Sequence, residues 1–155
     1  MLSRSRANRW LRLVEVVQCV PSDRAARVGH ALVVLSVALM MGLGLYLTPN
    51  PSGHGTHQQL GLPPCSIYFF TGRPCPSCGL TTSISAWLHG DWQLGWRANP
   101  FGIAVLLIAI GVGLNSLTVL LFKRGLRLHP LIINWGLILL ILGWLIHGVL
   151  RFAFW

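Results

Sequence analysis

The sequence predicts an all-α membrane protein, with three transmembrane helices and an interfacial amphipathic helix that follows an external cysteine-bearing loop. Three observations predict it. Of 155 residues, 54% are hydrophobic and only 10% charged, whereas soluble domains carry about a quarter charged residues. Three stretches, 28–47, 101–122 and 131–150, contain no Asp, Glu, Lys or Arg. Each is long enough to cross a hydrocarbon core of about 30 Å as a helix, and lipid obliges the backbone of such a stretch to bond to itself. A soluble chain this short could not cover three such helices on every side. The third observation is where the basic residues stand. Arg4, Arg6, Arg9, Arg12, Arg24 and Arg27 precede the first span, and Lys123, Arg124 and Arg127 lie between the second and third. Arg73, Arg97 and Arg151 fall in the other two flanks.

Nine basic residues against three fit the positive-inside rule. The expected topology puts the N-terminus in the cytoplasm, and the loop at 48–100 and the C-terminus outside. The net charge of +9 is thereby assigned to membrane topology, and a nucleic-acid partner is rejected. Residues 1–27 read as a cytoplasmic basic segment and 28–155 as a single membrane domain. Within the leader, Trp10, Leu13, Val14 and Val17 share one helical face opposite Arg6, Arg9 and Arg12. This predicts an amphipathic helix from about Arg6 to Cys19, lying on anionic headgroups; a disordered basic leader is the plainer alternative. Pro21 ends that pattern, and Ser22 or Asp23 can cap the next helix. The apolar run at 28–47 exceeds a usual signal core, and no A-x-A-like site follows it, so it reads as an uncleaved signal anchor.

The composition changes after Leu47. Residues 48–64 hold four prolines and three glycines, which predicts irregular chain. Residues 66–70 are aromatic and lean towards β structure. From Leu80 to about His89, the residues Leu80, Ile84, Trp87 and Leu88 recur at helical spacing opposite Thr82, Ser83 and Ser85. This predicts an amphipathic helix on or dipping into the membrane surface. Trp87, Trp92 and Trp96 suit the membrane interface; packing within a small external cap is the alternative. Asn99-Pro100 is a helix start, with Asn as cap and Pro at the first position. Residues 123–130 read as a tight basic turn, which makes the last two spans an antiparallel helical hairpin.

Chemistry concentrates in Cys75-Pro76-Ser77-Cys78-Gly79, with Cys65 ten residues upstream. Two thiols at C-x-x-C spacing can share a metal ion or close a disulfide. In a metal knuckle, proline stiffens the turn and glycine allows a positive φ. A tetrahedral zinc site needs four ligands. Cys65, Cys75 and Cys78 supply three, and His54, His57 or His89 is available as a fourth, with His54 as the chosen candidate. A redox reading uses the same cysteines. Cys75 would cap a helix start, Cys78 would sit inside it, and Cys65 would resolve or exchange. No thioredoxin-like βαβ pattern surrounds the motif, and Arg73 is the one charge near it. A purely structural clip, by metal or disulfide, is the plainest reading.

The stretch from Cys65 to Pro100 resembles a family of small bacterial multi-pass membrane proteins of unknown function. Its signature reads approximately C-P-x-x-x-x-T-G-x-x-C-P-x-C-G-x-T-R, with N-P further on at the start of a span. Cys65, Thr71, Gly72, Cys75, Pro76, Cys78, Gly79, Thr81, Asn99 and Pro100 match it. Ser66 stands where the family often has proline and Thr82 where it usually has arginine, so no role of that arginine carries over. The resemblance implies an integral protein of the bacterial inner membrane and supplies no reaction.

Other polar groups offer less. Cys19 is expected to be a cytoplasmic, inert thiol. His147, near the outer end of the third span, reads as an interhelical hydrogen bond or as a functional ionisable group. Asn115, Ser116, Thr118 and Asn134 read as links between helices, and Gly111 and Gly113 as points of close packing. Walker, HExxH and GxSxG motifs are absent, and Glu15, Asp23 and Asp91 are the only acids, which disfavours carboxylate hydrolysis and proton pumping. No catalytic residue is assigned. The functional expectation is an accessory or scaffold component of the membrane whose loop is clipped by a cysteine zinc site or disulfide. Its partner would be the lipid bilayer together with another membrane protein or a second copy of itself. A thiol–disulfide oxidoreductase or metal-handling protein using Cys75 and Cys78 is the alternative.

Overall fold

The structure, a computed structural model, describes residues 14–18 and 24–154. Its elements are β1 (Val14–Gln18), α1 (Arg24–Tyr46), a 3₁₀ turn (Thr56–Leu60), α2 (Ser66–Thr71), α3 (Leu80–Leu88), α4 (Trp92–Ala98), α5 (Phe101–Phe122), β2 (Arg124–Leu128) and α6 (Pro130–Phe154). Three helices, α1, α5 and α6, are long and apolar enough to cross a membrane, and the expected all-α three-span fold holds. Helices α1 and α6 run past the charge-free stretches that announced them, because arginines can extend a helix into the headgroup layer with their heads in water.

The spans do not pair as the sequence suggests. Helices α5 and α6 do run in opposite directions, but α5 lies closely along α1 rather than along α6. Small residues decide this. A Cβ on Gly113 of α5 would come 3.1 Å from Val37 of α1, so the missing side chain lets the two backbones approach. Gly111 faces open space. Helix α6 stands off, leaving an apolar crevice of about 210 Å³ between Phe101, Val105, Leu140, Ile141 and Trp144.

The connection at 123–130 is not a tight turn. Lys123 ends α5 in the left-handed region at φ 55°, and β2 then pairs antiparallel with β1, Val14 opposite Leu128 and Gln18 opposite Arg124. The predicted amphipathic helix at 6–19 is therefore corrected over Val14–Gln18, which is a strand. Backbone pairing with β2 overrides a weak helical pattern rich in β-branched valine. The rest of that leader, with Cys19, lies outside the described residues. Asn115 Oδ1 accepts from Leu126 N at 2.7 Å, so this side chain fastens β2 to α5 rather than linking two helices. Thr118 bonds within its own helix, Ser116 is buried, and Asn134 is exposed.

At the other end, the chain between α1 and α5 folds into a cap. Residues 66–70 are helical rather than extended. Phe69 N bonds Cys65 O, and Gly72 closes the helix at φ 67° by donating to Tyr68 O. Aromatic and β-branched residues favour strands only where a pleated neighbour exists; α2 has none, and a glycine cap is at hand. The irregular chain at 48–64 contains the 3₁₀ turn. Helix α3 forms as expected, but its faces are inverted. Thr82, Ser83, Ser85 and Ala86 are buried, and Leu80, Ile84, Trp87 and Leu88 are only half-buried. Its hydroxyls serve other elements. Ser85 donates to Gly44 O and Leu47 O at the end of α1, and Ser83 donates to Gly95 O and Asn99 O. Thr56 donates to Thr82 Oγ1. Where neighbouring helices end, carbonyls lack partners, and short hydroxyls supply them while allowing close approach. Gly102 of α5 has no room for a Cβ beside Ser83.

Candidate functional site

The cap places three sulfurs together. Cys65 stands at the N-terminus of α2, and Cys75 and Cys78 bracket a turn closed by Cys78 N donating to Cys75 O at 2.9 Å. Gly79 follows at φ 82°, and a Cβ there would lie 2.5 Å from the carbonyl oxygens of both Gly53 and Ala98. Any other residue would meet both a strained φ and a steric barrier. The turn is pinned from two directions. Asn99 Nδ2 donates to Pro76 O and Cys78 O at 3.2 and 3.3 Å, while its Oδ1 accepts from Phe101 N and caps α5. Arg151 of α6 donates to Cys78 O at 3.1 Å and to Ala98 O at 2.7 Å.

The sulfurs of Cys65, Cys75 and Cys78 lie within 4.8 Å of one another, close enough to hold a metal ion. Cys65 and Cys75 lie 3.4 Å apart, the Cys65 thiol donating to the Cys75 sulfur. Cys75 and Cys78 are buried and Cys65 is partly exposed. The environments differ. Burial alone would raise the Cys75 thiol, but the Ser77 hydroxyl, Cys65 and the backbone N–H groups of Ser77 and Cys78 hydrogen-bond its sulfur and together hold it below its ordinary value. Burial pushes Cys78 up to about 11, reinforced by its two cysteine neighbours and partly opposed by Arg151. A cavity of about 260 Å³ opens on the cluster, and His57 and Ser77 are in its lining.

His54 is not brought to this cluster. It lines a neighbouring cavity, its ring 4.6 Å from that of Tyr68 and its Nδ1 3.0 Å from Ser52 O. His89 instead bonds Ser85 O at the end of α3. The histidine that shares the cysteine cavity is His57, whose Nε2 lies 3.2 Å from Pro63 O. Trp92 and Trp96 are exposed at 69% and 61%. Trp87 differs, packing onto Gly95 with its Nε1 buried and unpartnered. The His147 ring lies tilted against that of Phe101, centroids 5.7 Å apart, and its Nε2 is buried with no hydrogen-bond partner, so the expected interhelical hydrogen bond is not made through that atom. Arg151 belongs to the site without being marked by the cysteine motif. It stands 73 residues from Cys78, and its only sequence signal was a lone arginine closing an apolar span.

A family model described as a protein of unknown function (DUF2752) matches residues 65–113, about a third of the chain. The matched stretch contains all three clustered cysteines, the whole of α2, α3 and α4, and the first half of α5. No curated protein and no solved structure matches the chain.

Proposed function

We propose that this chain is a non-catalytic component of the bacterial inner membrane whose cap is clipped by one zinc ion on Cys65, Cys75 and Cys78. The observation behind this reading is the convergence of three sulfurs from two chain segments to within 4.8 Å of one another, two of the cysteines buried and Cys65 partly exposed. Soft thiolates suit zinc, and structural zinc takes four ligands; His57, on the wall of the same cavity, is the fourth candidate in place of His54. The ion would join α2 to the turn before α3 and so fix the cap. Lipid covers α1, α5 and α6, and Trp92 and Trp96 lie at the interface. The cap faces outside and the N-terminus lies in the cytoplasm, following the arginine bias. The clip leaves the exposed cap surface free to meet another membrane protein or a second copy.

Metal analysis of the full chain purified in mild detergent tests the site. A single zinc ion per chain is expected, released on unfolding and lost in Cys65→Ser, Cys75→Ser and Cys78→Ser. Metal-free protein with three freely alkylated thiols would sink the reading. Membrane-impermeant PEG-maleimide on intact spheroplasts, after reductant and chelator, tests orientation. Cys65 should label while Cys19 stays protected, and the reverse pattern would invert the topology.

Thiol exchange at the same sulfurs is a second reading, favoured by the 3.4 Å approach of Cys65 to Cys75.

A further inference from the structure

The spacing C-x-x-C suggests that any disulfide here would join Cys75 to Cys78. The structure points elsewhere. The Cys65 thiol approaches the Cys75 sulfur to 3.4 Å and hydrogen-bonds it, a contact made between two separate chain segments. Cys78 is the least free of the three to move, because its carbonyl is held by both Asn99 and Arg151 and its N–H by Cys75 O. Cys65 lies at the end of a short helix, is the most exposed of the three, and borders the cavity that opens on the site.

We infer that Cys65 and Cys75 form an exchangeable disulfide, made with a small disulfide as oxidant, while Cys78 remains a thiol. The Cys65 thiolate attacks one sulfur of the small disulfide RSSR, forming Cys65–S–S–R and releasing RS⁻. The Cys75 thiolate then attacks the Cys65 sulfur, closing Cys65–S–S–Cys75 and releasing a second RS⁻. Two electrons pass from the two cysteines to RSSR, and the two thiol protons end on the released RSH molecules. The 260 Å³ cavity beside Cys65 gives a small disulfide its approach. Resting on the metal reading, a consequence follows: the cross-link removes two of three sulfur ligands, so zinc and disulfide exclude each other.

Oxidised glutathione added to the full chain in detergent, in a Cys19→Ser background, tests this. Free thiols are then blocked with N-ethylmaleimide, and the chain is cut at the aromatic residues between Cys65 and Cys75. The expected product links Cys65 to Cys75 and carries maleimide on Cys78. Cys78→Ser should keep the cross-link, and Cys75→Ser should stop at a glutathione adduct on Cys65. A Cys75–Cys78 or Cys65–Cys78 link, or three alkylated thiols, overturns the pairing. Metal is measured separately on the reduced and oxidised samples. Absence of zinc from the reduced sample removes the metal reading and leaves the pairing standing. Zinc that persists in cross-linked protein overturns the mutual exclusion.

Discussion

At the residue scale, the two cysteines of one turn are chemically unlike. Cys75 accepts hydrogen bonds that stabilise its thiolate, whereas Cys78 is desolvated beside two other sulfurs. In reduced, metal-free protein, iodoacetamide should therefore modify Cys75 at lower pH than Cys78, whose thiolate forms fully only above about 11. Alkylation followed residue by residue against pH checks the order, and equal profiles would contradict it. Gly79 is a second sharp position. Its φ of 82° and the two carbonyls against it predict that Gly79→Ala costs about 2–4 kcal/mol by strain and displaced backbone, visible as a lower melting midpoint in detergent. Both glycine and cysteines were legible in the motif. The asymmetry between the thiols was not, since it depends on Ser77 and on burial by distant chain.

At the element scale, α3 shows how a correct helix can be read with its faces reversed. The hydroxyl stripe looked solvent-facing because polar residues usually are. Here it meets the carbonyl-rich ends of α1 and α4, where hydroxyls satisfy groups that hydrocarbon could not. Replacing Ser83 or Ser85 with Ala should cost about 1–3 kcal/mol each, because two carbonyls lose a donor in either case. Thr81→Ala, at an exposed position of the same helix, should change stability little. Equal melting shifts for the three variants would show that the polar face is outward after all. Residues 66–70 and 14–18 depart from their sequence patterns in opposite senses, a helix where the composition leans to strand and a strand where the spacing suggests a helix. Both are about five residues long, too short for local pattern to outweigh a partner gained or lacking.

At the scale of the whole molecule, the cysteine turn is the joint on which α6 rests. Pro76 fills the notch at Gly148, the one buried residue of α6. Arg151 holds Cys78 O, and Arg73 donates to Phe152 O at 3.3 Å while lying 5.5 Å from its ring centre. Away from this end, α6 stands apart from α5. Gly148→Val should push Pro76 out of its notch, and Arg151→Gln should release the Cys78 carbonyl. On the proposed zinc site, each should weaken metal binding by about tenfold or more, as loss of support around metal ligands does. Competition with a chelating dye measures this, and unchanged affinity in both variants would separate α6 from the site.

The three spans, the cysteine motif, the cap at Asn99-Pro100 and the break after Leu47 are all legible in the order of the residues. These follow from length, apolarity and spacing, properties a segment has without its neighbours. It takes the folded chain to show that α5 packs on α1, that the hydroxyls of α3 face inward, that His57 rather than His54 shares the cysteine cavity, and that Arg151 reaches back to Cys78. Each of these depends on which surfaces meet across tens of residues. A missing side chain at Gly113 or Gly148, or an unpartnered carbonyl at a helix end, selects the neighbour without leaving a periodic mark in the sequence.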